Sequence, residues 1–294
     1  MHRYSVAVII PCYNSSKYIQ KTIESVLNQD YENLEVIAID DGSTDETRKI
    51  LEGYLPKIRI LSHPNNANLG PAASQNLGIT QTKSDLIAFL DHDDFWYPSK
   101  VEEQVKIFEK NPEAGVVYTN GYAVDENDKV LFKLFPDNFQ EENICGKILL
   151  KGYIKTESSI MVRREMFRQV GLLKTNLLAA DHDLYVRLSE VTKLYYIPDH
   201  LIAYRKHTEQ LSLERQMWED GFIILKEACK RYPYGINLKR KRRGVLYYRL
   251  GEYDWKNKDC LRALKNYCFA GILDPARAVA FVFNNILPKE IHPS

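Results

Sequence analysis

Five short apolar runs recur along the first part of the chain: Val6-Ala7-Val8-Ile9-Ile10, Val36-Ile37-Ala38-Ile39, Ile58-Arg59-Ile60-Leu61, Leu86-Ile87-Ala88-Phe89-Leu90 and Val116-Val117-Tyr118. They barely alternate and are rich in β-branched residues, as strands covered on both faces are, so they predict parallel strands. Between them the apolar spacing turns helical. Ile19, Ile23, Val26 and Leu27 follow Ser16, and Ile50, Leu51 and Tyr54 follow Thr44, so Ser16 and Thr44 are the expected helix caps. Residues 71–80 and 98–109 each open on proline, which suits a first helical position. Strands and helices in alternation predict an α/β fold with a doubly wound, mostly parallel sheet, whose ligands bind beyond the carboxyl ends of the strands.

Residues 120–215 are less regular: a hairpin is expected over 121–135, a helix over 141–150, a strand over 159–162 and a helix over 182–191, after Asp181. From Arg215 onward the pattern is helical. The expected division is a domain over residues 1–214 and an all-helical extension over 215–294.

Composition narrows the function classes. With 40 basic and 39 acidic residues in 294, the chain as a whole is nearly neutral and ordinary for a globular protein, which excludes a disordered or collagen-like chain. The charge is unevenly placed: from Lys226 onward 15 basic residues face 6 acidic ones, so this tail is strongly positive and the rest negative. No apolar tract approaches the ~20 residues of a spanning helix, and no signal-peptide apolar region opens the chain, so a cytoplasmic protein is expected. Cys12, Cys145, Cys229, Cys260 and Cys268 show no metal-finger or C-x-x-C spacing; reduced, structural thiols are expected, above all for the last four.

Three of the strand-forming runs end in polar or acidic clusters: Pro11-Cys12-Tyr13-Asn14, Asp40-Asp41-Gly42-Ser43-Thr44-Asp45 and Asp91-His92-Asp93-Asp94. One aspartate at a strand end is usually a cap or a turn residue, but three such ends converge on one edge. Adjacent carboxylates repel unless a cation holds them, and a hard divalent ion completed by phosphate oxygens meets that need; Mg²⁺ or Mn²⁺ with a diphosphate is the natural reading. Asn68-Leu69-Gly70 and the small residues up to Asn76-Leu77-Gly78 open a helix whose N-terminus favours an anion. Neither a dinucleotide fingerprint nor a P-loop is present in the sequence.

Pro11-x-Tyr13-Asn14, Ser25-Val26-Leu27-x-Gln29, Glu35-Val36-Ile37-x-x-Asp40-Asp41-Gly42-Ser43-Thr44-Asp45, Asn68-x-Gly70, Asn76-x-Gly78 and Leu90-Asp91-x-Asp93-Asp94 together resemble the GT-A nucleotide-sugar glycosyltransferases of family 2. The likeness continues through Ala180-Asp181-His182-Asp183-Leu184-x-x-Arg187-Leu188 and Tyr204-Arg205-x-His207-x-x-x-x-Ser212, so it covers about the first 212 residues. It implies the GT-A fold and an inverting, metal-dependent transfer of a sugar from a nucleotide-sugar, a UDP-sugar or similar, to a saccharide or lipid-linked acceptor in surface glycan or glycolipid synthesis. By resemblance, Pro11, Tyr13 and Asn14 would line the nucleoside pocket, and Asp40 and Asp41 would lie by the base and ribose. Gly70 and Asn76 would belong to the donor site. Asp91 would contact the ribose or the metal, Asp93 would ligate Mn²⁺ or Mg²⁺, His207 would reach the diphosphate or the ion, and Asp181 would be the general base. Two positions depart from the pattern: Gln75 stands where the family usually has Arg, and Ala180 where it often has Glu before the base.

From the residues alone Asp181 also reads as a helix cap, Asp183 as a turn residue or a first-turn acid and His207 as a surface histidine. Two other functions stay open: a nucleotide-sugar-binding protein without turnover, and a metal-dependent phosphohydrolase using Asp91 and Asp93, against which Asp94-Phe95 and the position far into the chain count. In the tail, Lys239-Arg240-Lys241-Arg242-Arg243 reads as a solvated loop or helix start, or as a peripheral contact with anionic lipid at the inner membrane face, in preference to nucleic acid. Tyr247, Leu250, Gly251, Ala263, Tyr267, Ala270 and Pro275 have the spacing of one tetratricopeptide-like hairpin, with Asp254 at a position usually aromatic. One such repeat cannot bury its own faces, so residues 216–231 and 276–287 are expected to pack on it or on the catalytic domain, and a partner-binding surface is the alternative.

Overall fold

The computed structural model describes residues 4–139, 144–151, 154–208 and 214–276. The chain divides into two compact units, one of Met1–Ile144, Ile154–Asn176 and Ala180–Gln210, the other of Cys145–Tyr153, Leu177–Ala179 and Leu211–Ser294.

The first unit is built on a nine-stranded sheet. At its centre β1 (Val6–Cys12) is buried along its whole length, which is why its sequence does not alternate. It pairs in parallel with β2 (Leu34–Asp40) on one side and β4 (Leu86–Phe89) on the other, and β3 (Arg59–Ser62) extends the sheet beyond β2. Helices α1 (Ile19–Leu27), α2 (Thr47–Glu52), α3 (Pro71–Gln81) and α4 (Lys100–Lys110) make the crossovers. Ile19, Ile23 and Val26 of α1 and Val101, Val105 and Phe108 of α4 join Val6, Val8 and Ile10 in one core cluster, while Gly78 of α3 lies close against Ile9.

Beyond β4 the sheet changes direction. β8 (Ile160–Arg163) is inserted antiparallel between β4 and the long β6 (Ala114–Val124). β9 (Lys193–Arg205) runs parallel to β6, and the short β5 (Phe95–Trp96) closes the edge antiparallel to β9. All five sequence-predicted strands therefore point the same way, but the fifth is separated from the rest by an antiparallel strand. Because β8 runs backwards, its beginning lies at the edge where β4 and β9 end.

The hairpin expected over 121–135 forms from the end of β6 and β7 (Val130–Lys133). The strand over 159–162 is β8, and α7 (Ala180–Ser189) takes in Asp181 as its second residue instead of following it. The helix expected over 141–150 is α5 (Ile144–Lys151), its first three expected residues lying outside those described. A one-turn helix, α6 (Met166–Val170), follows β8. Neither Ser16 nor Thr44 caps a helix by its side chain: α1 begins after Tyr18 and α2 after Glu46. The backbone N–H of Ser16 donates to Asp45 and that of Thr44 to Asn14, so these polar residues tie the two loops together instead.

The second unit holds α8 (Gln216–Arg231), α9 (Ile236–Lys256) and α10 (Cys260–Leu273). α9 and α10 form the predicted hairpin: Ala263 and Ala270 are buried, and a Cβ on Gly251 would come within 2.8 Å of the Tyr267 ring. Asp254 is buried there, accepting from Asn266 Nδ2 at 2.7 Å and Arg215 Nε at 3.1 Å, so an ion-paired polar bridge occupies the place of an aromatic. α8 packs on α9 as expected, with Phe222 edge-on to Tyr247 at 5.0 Å; of residues 276–287, all after Ala276 lie outside those described. The basic run opens α9. Arg242 alone of its five cations turns inward, donating to the Leu150 carbonyl at 3.1 Å, and burial lowers its pKa to about 10. All five cysteines are free, and Cys260 and Cys268 are exposed, which departs from the buried thiols expected of them. No described helix is long and apolar enough to cross a membrane.

Lys100 is fully buried beneath the sheet, 3.8 Å from the centre of the Trp96 ring, and its Nζ donates to Gln104 Oε1 at 2.6 Å. Burial pushes its pKa well below the ordinary 10.5. Between the folded and unfolded values the unfolded chain binds the extra proton, so stability rises with pH across that window. Denaturant titrations should show the stability of the wild type relative to Lys100→Met growing as pH rises toward 10.5; a constant difference would show that Lys100 stays charged when folded.

Candidate active site

The loops after β1 and β2 are stitched together before any ligand arrives. Asn14, at φ 47°, donates its N–H to Ser43 Oγ at 3.1 Å and accepts from Thr44 N at 2.8 Å, and Ser15 N donates to Thr47 Oγ1 at 2.6 Å. Burial works against charge at Asp45, yet hydrogen bonds from Thr47 and Ser16 hold it down at about 2. Asp40 accepts from Ser43 N at 3.0 Å. Asp41, buried, accepts from Leu69 N and Gly70 N, both at 2.8 Å, and so fixes the loop that enters α3. Gly42 has φ 78°, and a Cβ there would lie 2.4 Å from the Asn66 carbonyl, so this turn admits only glycine.

These ties leave an open cleft of about 490 Å³ lined by Asp40, Gly42, Ser43, Thr44, Arg48, Ser62 and Asn66, a size ordinary for a small-molecule site. Of the expected donor residues Asp40 lines it directly. Pro11 lies in the last part of β1 opposite Ile39, and Tyr13 is 45% exposed just beyond. Asn76 is spent elsewhere: its Oδ1 accepts from Leu173 N and its Nδ2 donates to Leu173 O, both at 2.9 Å, because α3 must pin the turn after α6. Its amide ties a turn, where a donor contact was expected.

Asp91, Asp93 and Asp94 follow β4, with one carboxylate oxygen from each within 4.8 Å of the others. Asp94 is completely buried and engaged on both oxygens, accepting from Ser158 Oγ at 2.6 Å, Thr156 Oγ1 at 3.2 Å and Arg205 N at 2.8 Å. Burial, then Asp93 and Asp91, push its carboxyl up. Arg205, also buried, donates to the Asp93 carbonyl at 2.8 Å and pairs with Asp128 at 2.7 Å, clamping the acidic turn to the β6–β7 hairpin. His207 Nε2 lies 2.7 Å from Asp93 Oδ2, beside the Tyr18 ring. Burial opposes charge at Asp93, but His207 and His92 keep its carboxyl below the usual range. Asp91 is the contrary case: burial, then Asp93 and Asp181, push it up to about 7. The structure thus brings Asp91, Asp93 and His207 to one edge, with Asp181 in charge range of Asp91.

Burial also raises Asp181, against hydrogen bonds from its own N–H and that of His182 in the first turn of α7. The cluster holds a residue the sequence left unmarked. Glu157 begins the short turn before β8, is 8% exposed, and accepts from Gln75 Nε2 at 2.5 Å. Burial, then Asp181 and Asp91, hold its carboxyl well above the usual range. The available signal was a glutamate among hydroxyl residues, Thr156-Glu157-Ser158-Ser159, just ahead of an apolar run.

The oxygen-rich set suits a hard divalent cation: with both Asp94 oxygens engaged, Asp91, Asp93 and His207 are the groups that would hold it.

Comparison with known proteins agrees with this architecture. The family model described as Glycosyl transferase family 2 matches residues 7–171. An uncharacterized glycosyltransferase of Rickettsia bellii is 36% identical over 212 residues, 70% of this chain and 30% of its own length. The hyaluronan synthase of Pasteurella multocida is 29% identical over 254 residues, 85% of this chain and 24% of its own. The chain spans about a third of the length of the first three curated relatives it matches. Among solved structures, S. aureus TarS 1-349 in complex with UDP-GlcNAc superposes with a TM-score of 0.66 at 17% identity, covering 94% of this chain and 83% of that one. The mannosyltransferase PcManGT from Pyrobaculum calidifontis, in complex with GDP-Man and Mn²⁺, gives 0.63 at 15% identity, covering 97% and 82%. With the fold, the acidic turn after β4 and a family match over residues 7–171 in agreement, the chain belongs to glycosyl transferase family 2.

Proposed function

We propose that this protein moves a sugar from a nucleotide-sugar, of the UDP type, to a hydroxyl of a saccharide or lipid-linked acceptor, with inversion at the anomeric carbon. The observation that carries this is the meeting of Asp91, Asp93 and His207 at one sheet edge, with Asp181 in charge range of Asp91. The cleft beside Asp40 has room for a base and ribose. UDP-GlcNAc on TarS and GDP-Man with Mn²⁺ on PcManGT support a nucleotide-sugar donor for this fold.

In this scheme Asp181 accepts the proton of the acceptor hydroxyl as that oxygen attacks, at a hydrogen-bond reach of ~2.6–3.2 Å. Placement in the first turn of α7 suits it, because the helix N-terminus stabilises the carboxylate form against burial. Asp93, Asp91 and His207 would hold a divalent ion, Mn²⁺ or Mg²⁺, and that ion would supply Lewis-acid stabilisation of the leaving diphosphate. Asp94 and Arg205 keep the turn rigid, so that little reorganisation is left for the moment of reaction.

Asp181→Asn should abolish transfer and leave nucleotide-sugar affinity nearly unchanged, since only the proton acceptor is removed; steady-state kinetics with a donor panel, read beside calorimetric binding, would expose normal turnover as a contradiction. Asp93→Ala should weaken donor binding in saturating Mn²⁺ by about tenfold or more, a loss of at least ~1.4 kcal/mol; unchanged affinity would remove Asp93 from the metal site.

The tail is read as a peripheral anchor. Lys239, Arg240, Lys241 and Arg243 leave the first turns of α9 outside the core, and each cation near an anionic leaflet adds ~1 kcal/mol. Pelleting with vesicles should retain the protein on phosphatidylserine-containing membranes and release it as salt rises; equal partitioning onto neutral vesicles would reject the anchor.

A further inference from the structure

Thr156, Glu157 and Ser158 form a turn whose outer members are committed. Thr156 Oγ1 bonds Asp94 at 3.2 Å, and Ser158 Oγ bonds Asp94 at 2.6 Å and accepts from Asp91 N at 3.0 Å. Glu157, between them, is only half used. Its Oε2 accepts from Gln75, whereas its Oε1 is buried with no hydrogen-bond partner among the described residues. Tyr185 repeats the pattern: it is 2% exposed and its hydroxyl has no partner among the described residues. It stands four residues beyond Asp181 on α7, so both share one helix face. Asp91 N donates to Ser158, the neighbour of Glu157, and Glu157, Asp181 and Asp91 are all within electrostatic range of Tyr185.

A buried polar atom left unpaired costs ~1–3 kcal/mol, and two within one cluster of acidic groups mark a place where bonds are to be supplied from outside. An anionic ligand group is excluded by Asp91, Asp181 and Glu157, and an apolar one would leave both atoms unpaired. Sugar hydroxyls, each a donor and an acceptor, match a carboxyl and a phenol. We propose that Glu157 and Tyr185 are specificity-determining contacts for hydroxyls of the transferred sugar, with Gln75 as the positioning residue that aims Glu157. This rests on the nucleotide-sugar reading above and deepens it. A site that bonds particular hydroxyls rejects epimers far better than an apolar pocket does, because the wrong epimer leaves the buried groups unpaired. Gln75, where the family pattern usually has Arg, then orients Glu157 through one neutral amide.

The test is calorimetric titration of the full chain, in Mn²⁺, with UDP and GDP and with their hexose and N-acetylhexosamine conjugates. The unaltered chain should bind one conjugate more tightly than its free nucleotide and than that conjugate's epimer. Glu157→Ala and Tyr185→Phe should each lower affinity for the preferred conjugate by about tenfold and flatten the preference between epimers, with free-nucleotide affinity held within about twofold. Gln75→Ala should act in the same direction, on the conjugate alone. Unchanged conjugate affinity in Glu157→Ala and Tyr185→Phe, the result if water fills these sites, would overturn the inference, as would an equal loss for free nucleotide and conjugate. Failure of the unaltered chain to bind any nucleotide would instead overturn the donor-site reading itself.

Discussion

Negative charge packed at one sheet edge governs the rest of this structure. Asp91, Asp93, Asp94, Glu157 and Asp181 lie close enough to perturb one another, and the burial of Asp93, Asp94 and Glu157 limits how far water screens them. The first unit answers with three devices. Asp94 is anchored by hydrogen bonds from two hydroxyls and a backbone N–H while burial and its acidic neighbours push its carboxyl up, Asp93 is held charged by His207, and Asp91 and Glu157 are driven toward their protonated forms. Carboxylates treated so differently within one cluster differ in charge state and in the bonds they have left to make.

Topology makes that convergence unavoidable. A wholly parallel sheet would offer only strand ends at its carboxyl edge. With β8 reversed between β4 and β6, the same edge also receives the start of a strand, and with it Thr156, Glu157 and Ser158. β9, parallel to β6, brings Arg205 and His207 to that edge from a distant part of the chain. Arg205 then links the acidic turn, the β6–β7 hairpin and the Tyr18 ring, so one buried guanidinium couples the three elements on which the geometry of Asp93 depends.

Much of this was legible beforehand, and the gaps have physical causes. Unalternating runs such as Val6–Ile10 located the central strands because burial on both faces dictates composition directly. The polar end of β1 and the acidic ends of β2 and β4 lie where open sheets bind their ligands. Asp93 and His207, 114 residues apart, were linked only through family resemblance, since no local pattern records a contact between a turn and a distant loop. Glu157 escaped because that rule points to residues after the end of a strand, whereas an antiparallel strand presents the residues before its start. Ser16 and Thr44 were misassigned as caps for a related reason: capping is local, whereas their actual partners Asp45 and Asn14 sit across a gap of about thirty residues. In the tail, Asp254 departs from the hairpin pattern because Asn266 and Arg215 supply the bonds that let a carboxylate be buried.

The most direct test of the central claim is thermal unfolding of the full chain with UDP or GDP, each with and without Mn²⁺. If the clustered carboxylates hold a cation that in turn holds the diphosphate, nucleotide and metal together should raise the midpoint well beyond the sum of their separate effects, by linkage of binding to folding. A midpoint moved equally by nucleotide with or without the metal, or by neither, would contradict it.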